Sequence, residues 1–253
     1  MKKYSRFVSL AKNKRGVWGL DTVKGCKYGM KYNKSGCYGC CYAYRLACVF
    51  DYDFTNSVIR NFKSSFHLES IIDEIKNIDS EFVRIGVSGD PSESWVNTID
   101  VCEKIISAGK QIVIVTKHWE SLPYNLYEKV EKLNLIINTS ISALDGELII
   151  NRLNQYEKLK SICKSVLRVV SCDFNTNNIY GKKYNEIQEN LFNNVNVIDN
   201  ILRVNLDNKL VTNGIINIEK YNFLSNECYI SRKNKNTYIG NCDSCPDKCG
   251  INL

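Results

Sequence analysis

The stretch that decides the fold is 81–118, "EFVRIGVSGDPSESWVNTIDVCEKIISAGKQIVIVTKH". It begins and ends with β-branched apolar runs, 81–89 and 110–118, which have the length and composition of buried strands. The segment between them repeats apolar residues at helical spacing and ends at Gly109, a typical stop signal. A strand, a helix and a strand in this order predict a parallel βαβ unit.

The same alternation continues along the chain. Further strand-like runs lie at 133–142, 165–173 and 199–206, and amphipathic helical patterns separate them. At least four βαβ units therefore follow one another, and we expect an α/β fold. Periodicity alone leaves the choice between an open sheet and a barrel undecided. We predict one α/β body over residues 1–225 and a short Cys-rich, metal-binding tail over residues 226–253.

Length and composition bound the class of protein. The 253 residues are 44% hydrophobic, enough to bury a sizeable core. No run of about 18 apolar residues occurs, so no membrane span is expected. The first residues carry charge but no apolar segment of the secretory type. We therefore expect a cytoplasmic protein with no membrane partner.

The charge balance favours a polyanionic partner. The formal net charge is +7, and basic residues gather in "KKYSR", "KNKR" and "SRKNKNTY". Such surfaces attract nucleic acid. The alternative is a general bias toward Lys and Asn, which is visible throughout the chain. Nucleic acid is thus a candidate partner on charge alone.

The first cysteine cluster lies in "GCKYGMKYNKSGCYGCCYA", residues 25–43. Reduced cytosolic thiols favour metal binding or catalysis over disulfides, and zinc and an iron–sulfur cluster are both open. Cys40 and Cys41 are adjacent, so their side chains diverge and only one should join Cys26 and Cys37. The chelating spacing Cys37-x2-Cys40 favours Cys40 as the third ligand, with Cys41 as the alternative.

A second cysteine cluster stands near the end, in "CDSCPDKCG". Cys242, Cys245 and Cys249 have the short spacings of metal ligands, and Cys228 or a nonprotein group is the candidate fourth ligand. The chain has only two histidines, so an all-thiolate site is expected, holding zinc or a [4Fe-4S] cluster. We expect this site near the substrate, at the carboxyl ends of the strands; the alternative is a structural staple.

Small and polar residues follow the first strand of the deciding stretch. Ser88 and Gly89 would let a ligand approach the backbone closely, and Asp90 and Ser92 supply polar contacts. The carboxyl ends of strands are where α/β proteins place their sites. The alternative is a plain turn in which Asp90 caps the following helix.

A polar row marks one face of the strand at 133–142. Asn138, Ser140 and Ser142 alternate with apolar residues, so their side chains share a face. Buried polar groups need partners, which favours a polar ligand inside the sheet over an exposed strand face. Lys117 closes the preceding strand, and Arg152 follows in the next helical segment, where it could equally be a solvated residue.

Together these motifs resemble the radical S-adenosylmethionine (SAM) enzymes, in particular their phage-type three-cysteine-motif branch. The "GC…GCYGCCYA" loop resembles the cysteine signature of that branch, and "GVSGDPS" resembles the glycine-rich motif that holds the SAM amino group. "SISALD" followed by Arg152 resembles the ribose-binding region, and "VTKH" is also similar. Ten residues separate Cys26 from Cys37, more than the commonest spacing in the superfamily.

The resemblance implies a partial (β/α)6 TIM-type barrel with an N-terminal iron–sulfur loop. Cys26, Cys37 and Cys40, or Cys41 instead of Cys40, would hold a [4Fe-4S] cluster that binds and cleaves SAM reductively. The 5′-deoxyadenosyl radical so formed would abstract hydrogen from the substrate, and a flavodoxin or ferredoxin would be the reductant. The SAM-binding residues implied are Tyr42, Ser88, Gly89, Asp90, Ser92, Lys117, Asn138, Ser140, Ser142 and Arg152.

The substrate expected is a nucleic acid or nucleotide, modified or repaired; a lyase of the spore photoproduct type is a close variant. One alternative is a radical SAM enzyme that modifies a peptide or protein. A different class of protein, a non-catalytic zinc-binding nucleic-acid adaptor, would also explain two cysteine clusters and basic ends. The sequence assigns no catalytic side chain.

Overall fold

The computed structural model describes residues 1–223 and 226–253. The predicted domain boundary at 225/226 adjoins residues outside these ranges. The strands are β1 (Leu10–Lys12), β2 (Trp18–Leu20), β3 (Val23–Lys24), β4 (Val58–Ile59), β5 (Phe82–Ile85), β6 (Gln111–Thr116), β7 (Ile136–Ile141), β8 (Lys164–Ser171), β9 (Asp173–Phe174), β10 (Val197–Val204), β11 (Ile216–Asn217), β12 (Glu219–Phe223) and β13 (Asn226–Ser231). The α-helices are α1 (Lys27–Tyr32), α2 (Tyr42–Val49), α3 (Ser65–Lys76), α4 (Trp95–Ile105), α5 (Tyr127–Lys132), α6 (Leu148–Leu159), α7 (Ile179–Phe192) and α8 (Lys209–Thr212).

A nine-stranded sheet organises the chain, in the order β1-β2-β5-β6-β7-β8-β10-β13-β12. The six strands from β2 to β10 in this order are parallel and follow chain order, as successive βαβ units require. The outer pairs are antiparallel. The predicted α/β class is confirmed. Within the described ranges β1 and β12 form the two edges, so the sheet is not closed into a ring.

The main apolar core lies between one face of the sheet and the helices α3, α4 and α5. Val83, Ile112 and Ile137 of the sheet pack there with Ile71 and Ile99 of the helices, all buried. Burying an Ile or Val side chain contributes about 1.5–3 kcal/mol. The apolar periodicity of the sequence therefore arises from this face of the fold.

The last residues of the chain cover the other face of the sheet, at the amino ends of the strands. Cys249 and Ile251 pack there against a row of apolar residues, namely Phe82, Val113, Ile136, Val166 and Ile198. Asn138 Nδ2 donates to the Cys249 carbonyl at 2.9 Å. The expected place of the Cys-rich tail was the carboxyl ends; the uncovered apolar row explains why the tail packs at the amino ends instead.

The first cysteine loop lies at the opposite, carboxyl ends of the strands. Gly25 and Gly89 form a parallel bridge, in which Gly25 N donates to the Ser88 carbonyl at 3.1 Å. Cys26 then caps α1, accepting from Gly29 N at 3.3 Å. The loop is thereby fixed beside the end of β5. Among the helices of the described ranges, none has the length and apolarity to cross a bilayer.

Candidate active site

A cavity of about 800 Å³ separates the first cysteine loop from the tail. Its wall is the sheet face that presents Arg84, Ser140 and Arg168. Both cysteine clusters line it, the first loop with Cys26, Cys37, Cys40 and Cys41 and the tail with Cys242, Cys245 and Cys249. The structure thus brings all the cysteines of both predicted clusters except Cys228 to one cavity.

Cys26 and Cys37 converge within the first loop. A Cβ on Gly29 would lie 3.0 Å from the Cys26 sulfur and 3.4 Å from the Cys37 sulfur, so a glycine is needed where the two thiols meet. Across residues 1–223 and 226–253 no three or more His, Cys, Asp or Glu side chains are arranged to hold a metal ion. The Cys26 and Cys37 sulfur atoms lie close together, but the cysteine side chains of the loop are not arranged as ligands of one metal centre.

Cys40 and Cys41 point to different surroundings, as the adjacency predicts. The Cys40 thiol is buried, lies 3.8 Å from the Cys37 carbonyl, and packs with Val170 and Cys172. Cys41 packs instead in the cluster that contains Cys26. These contacts favour Cys41 as the companion of Cys26, whereas the spacing favours Cys40.

Burial controls the ionisation of these thiols. It raises the pKa of the Cys26 thiol well above its usual value and that of Cys40 to about 12. Burial also raises the pKa of Cys37, although the Lys117 ammonium acts in the opposite direction. Without a bound cation these cysteines are neutral thiols at pH 7, and a metal centre would have to displace their protons.

Asp145 lies at the centre of a buried ionic network next to this loop. Arg152 forms an ion pair with it, Tyr38 donates to it at 2.7 Å, and the Ser142 backbone N–H donates at 2.7 Å. Lys117 donates to the Tyr38 hydroxyl at 2.5 Å. Burial alone would raise the pKa of Asp145, but Lys117 and Arg152 outweigh it and hold that pKa below its usual value. Asp145 is therefore a carboxylate.

The "GVSGDPS" motif forms a rigid turn. A Cβ on Gly89 would lie 2.3 Å from the Val23 carbonyl oxygen, so the close approach predicted for a ligand is made by the chain itself. Asp90 caps the next turn through Ser92 N and also accepts from Thr116 and the Lys117 backbone, at 2.6–3.0 Å. The capping role of Asp90 is confirmed, and Gly89 and Asp90 also line the cavity.

The polar row associated with β7 has three different environments. Asn138 is held by Cys249 and by Arg168 Nε, 3.2 Å from its Oδ1. Ser142 donates to the Val170 carbonyl at 2.9 Å and accepts from Leu144 N. Ser140 alone lines the cavity, and its hydroxyl has no hydrogen-bond partner within the described ranges.

The remaining predicted SAM contacts lie around the same cavity. Lys117 lines it directly, while Arg152 is buried behind it, with its Nε donating to the Lys117 carbonyl at 2.6 Å. Tyr42 also lines it and donates its hydroxyl hydrogen to the Val87 carbonyl. Ser88 is half-buried and donates its backbone N–H to the Asp21 carboxylate at 3.2 Å.

Three arginines that line the cavity from strands were missed by the sequence reasoning. Arg84, Arg168 and Arg203 line it from β5, β8 and β10. The signal was present, because each stands inside an otherwise apolar strand run, "FVRI", "VLRVV" and "ILRV". A cation at such a position must face either solvent or a polar cavity.

Comparisons with known proteins support the fold. A solved structure of a doubly substituted spore photoproduct lyase, with bound AdoMet and a dinucleoside spore photoproduct, is similar to this chain with a TM-score of 0.52. The similarity covers 92% of this chain and 74% of the lyase, at 11% sequence identity. No family model matches the sequence. No curated protein matches it either. At this identity the likeness establishes a shared fold.

Proposed function

We propose that this protein is a radical SAM enzyme. The observation that carries the proposal is the position of the first cysteine loop: on a fold shared with a spore photoproduct lyase, its thiols face a cavity at the carboxyl ends of parallel strands. That is the end at which such folds place their chemistry. The motif order in the sequence supports the same conclusion independently.

The residues of the loop fit a [4Fe-4S] cluster. Cys26 and Cys37 would supply two thiolates, and Cys40 or Cys41 the third; the contacts support Cys41 and the spacing supports Cys40. Three protein ligands leave one iron open to SAM, and such a cluster supplies the electron that cleaves SAM reductively to a 5′-deoxyadenosyl radical.

The surrounding side chains would position SAM and exclude water. Ser140 offers a free hydroxyl to the ligand, and Lys117 places an ammonium where a carboxylate can bind. The Asp90 and Ser92 network would act indirectly, by keeping the turn beside the cavity rigid. Burial of these groups makes each polar contact stronger than it would be in water.

A nucleic acid or nucleotide is the substrate class we propose. The basic residues that line the cavity outnumber its acidic residues, which suits a phosphate-bearing substrate. The lyase with the similar fold was solved with a dinucleoside ligand. A peptide substrate and a non-catalytic zinc adaptor are the alternatives, and the adaptor would show neither iron nor SAM turnover.

The test is an anaerobic SAM-cleavage assay. After reconstitution with iron and sulfide, the protein should be brown and, with a chemical reductant, should release 5′-deoxyadenosine from SAM. Cys26→Ala should abolish SAM cleavage and remove the iron of this cluster, because it removes one of three ligands, whereas Cys48→Ala, at an exposed thiol, should retain both. A colourless protein without SAM cleavage would contradict the proposal.

The identity of the third ligand has its own test. Cys40→Ala and Cys41→Ala are compared by iron content and by the electron paramagnetic resonance of the reduced cluster. The variant that lacks a true ligand should lose most of its cluster, and the other should retain it. If both variants kept the iron content of the unsubstituted protein, the assignment of the cluster to this loop would be contradicted.

A further inference from the structure

The tail cysteines share an environment that the sequence could not show. Cys242, Cys245 and Cys249 line one end of the cavity. The Cys245 and Cys249 thiols lie close enough to Cys242 to help raise its pKa. Cys228, on β13, is further away in sequence, yet Arg203 lies within electrostatic reach of both Cys228 and Cys242. The three tail thiols therefore gather at one end of the cavity, while Cys228 lies outside the cavity lining and packs with Ile201, Ile230 and Ile239.

Two arginine side chains without a direct ion pair in the described ranges, Arg84 and Arg203, face this region. Arg84 lies beside Cys242 and Cys249, and its Nε is buried with no hydrogen-bond partner in the described part of the chain. The side chains of Arg84 and Arg203 form no hydrogen bond or ion pair with any described residue, although the Asp21 carboxylate lies within electrostatic reach of Arg84. Arg15 also lies near Cys242 and is anchored by a bond from its Nη2 to the Gly240 carbonyl at 3.1 Å. The Arg84 and Arg203 guanidinium groups, which lack a direct partner in a partly buried site, call for an anionic occupant.

From the position of the tail thiols we infer that Cys242, Cys245 and Cys249 hold a metal centre whose negative charge Arg84 and Arg203 balance, and that Cys228 turns from its apolar cluster to complete a tetrathiolate site. A zinc ion and a [4Fe-4S] cluster would both suit four thiolates, and either centre would then carry a double negative charge. Two unpaired arginines match that charge. Binding would require the four side chains to rotate into ligand geometry and to release their protons.

The site is separate from the first cysteine loop. The tail contacts β7 near Ile136 and Asn138, whereas the first loop contacts the chain near Ala143 and Asp145. Five residues separate Asn138 from Ala143, and a strand rises about 3.3 Å per residue, so the two contact regions lie at least roughly 15 Å apart along the chain. The inference concerns the floor of the cavity and does not depend on the proposed function.

Metal analysis in a background without the first site tests the inference directly. In Cys26→Ala/Cys37→Ala, anaerobically purified protein should retain either about one zinc or about four irons with matching sulfide. Adding Cys242→Ser, Cys245→Ser and Cys249→Ser should remove that metal. Adding Cys163→Ser should not, because this thiol lies outside the cavity lining and a serine can keep its donation to the Leu159 carbonyl. Two results would overturn the site. One is metal that persists after the tail thiols are replaced, and the other is a Cys26→Ala/Cys37→Ala protein that contains no metal.

A second measurement covers the case in which the serine variants fail to fold. Apoprotein with all its cysteines is titrated with Co²⁺, and thiolate-to-cobalt charge-transfer absorption reports four sulfur ligands. Arg84→Gln removes no ligand, yet it should weaken metal binding by roughly 10–100-fold, as loss of supporting partners generally does. Lys104→Gln, on the exposed face of α4, is the charge-matched control. Equal affinities in Arg84→Gln and Lys104→Gln would overturn the charge-balancing role, and absence of thiolate bands would overturn the site.

The two proposals fail in different ways. SAM cleavage without any tail metal would contradict the tail site and leave the proposed function intact. Tail metal in a protein that never cleaves SAM would support the tail site and contradict the proposed function. Zinc and iron assays on the same samples then identify which metal the four thiolates hold.

Discussion

Ser140 and Ser142 lie on the same side of the chain at β7 but have different surroundings. The Ser142 hydroxyl joins the strand end to Val170 and caps the following turn, whereas the Ser140 hydroxyl meets only the cavity. A serine with internal partners contributes to stability, and one without them is available to a ligand.

Substitution by alanine should separate these roles. Ser140→Ala should weaken SAM binding several-fold, because a hydrogen bond to a ligand contributes about 0.5–1.5 kcal/mol, while leaving stability unchanged. Ser142→Ala should lower the free energy of unfolding by about 1 kcal/mol through the lost cap and bond. Equilibrium dialysis and urea unfolding measure the two effects; unchanged SAM affinity in Ser140→Ala would mean that its hydroxyl faces another part of the cavity.

His118 gives the fold a predictable pH dependence. Burial, reinforced by the nearby Arg152, lowers its pKa to about 3, and its Nε2 lies 3.1 Å from Thr139 Oγ1. The unfolded chain binds a proton near pH 6.5, which the folded chain does not. The contribution of His118 is therefore complete above pH 6.5 and is lost as pH falls from 6.5 toward 3, by about 1.4 kcal/mol per pH unit.

His118→Gln should remove this part of the pH dependence. Glutamine can still bond to Thr139 but does not titrate, so its unfolding free energy should fall less steeply with acid than that of the wild type. Urea unfolding at several pH values between 4 and 7 measures the difference. Parallel curves for the two proteins would show that His118 is already protonated, or exposed, in the folded state.

At the scale of elements, the tail and the sheet depend on each other through Gly250. Its φ of 99° is left-handed, and a Cβ there would lie 2.7 Å from Val166 Cγ2. Gly214 is also left-handed, with φ 62°, but a Cβ there would meet nothing within 4 Å. A side chain at either glycine would meet the same kind of backbone strain, but only a side chain at Gly250 would also clash with a neighbouring residue.

Gly250→Ala should therefore destabilise the protein more than Gly214→Ala. Both changes introduce left-handed strain of roughly 1–2 kcal/mol, and only the first adds overpacking, which typically costs about 1–3 kcal/mol more. Urea midpoints of the two variants give the comparison. Equal midpoints would mean that the tail moves away from Val166 without loss of stability.

At the scale of the whole molecule, the sequence predicted more of the fold than of the site. The apolar runs at 110–118 and 133–142 contain β6 and β7, because burial against helices imposes a pattern on every residue of a strand. The partners of Gly89 and Asn138 depend instead on which distant backbone reaches them, Val23 in one case and Cys249 in the other. No local pattern encodes such contacts.

The positive charge of the molecule leads to a prediction about substrate binding. With a net charge of +7 and arginines inside the cavity, a short single-stranded oligonucleotide should bind more weakly as salt rises, with a log–log slope of about −0.7 per phosphate contacted. Arg168→Gln should reduce that slope, and Lys132→Gln, on exposed α5, should not. Fluorescence anisotropy at several salt concentrations tests this; binding without salt dependence would argue against a nucleic-acid substrate.

The tail covers the amino ends of the strands, and this position determines when the apolar surface of the sheet is buried during synthesis. Residues 242–253 are translated after every strand that they cover, so a nascent chain presents the apolar row of the sheet before its cover exists. Exposed apolar surface on an incomplete domain promotes aggregation. Successful production of this protein in a cell therefore depends on how quickly residues 242–253 follow the strands during translation, or on a chaperone that shields the row until they emerge.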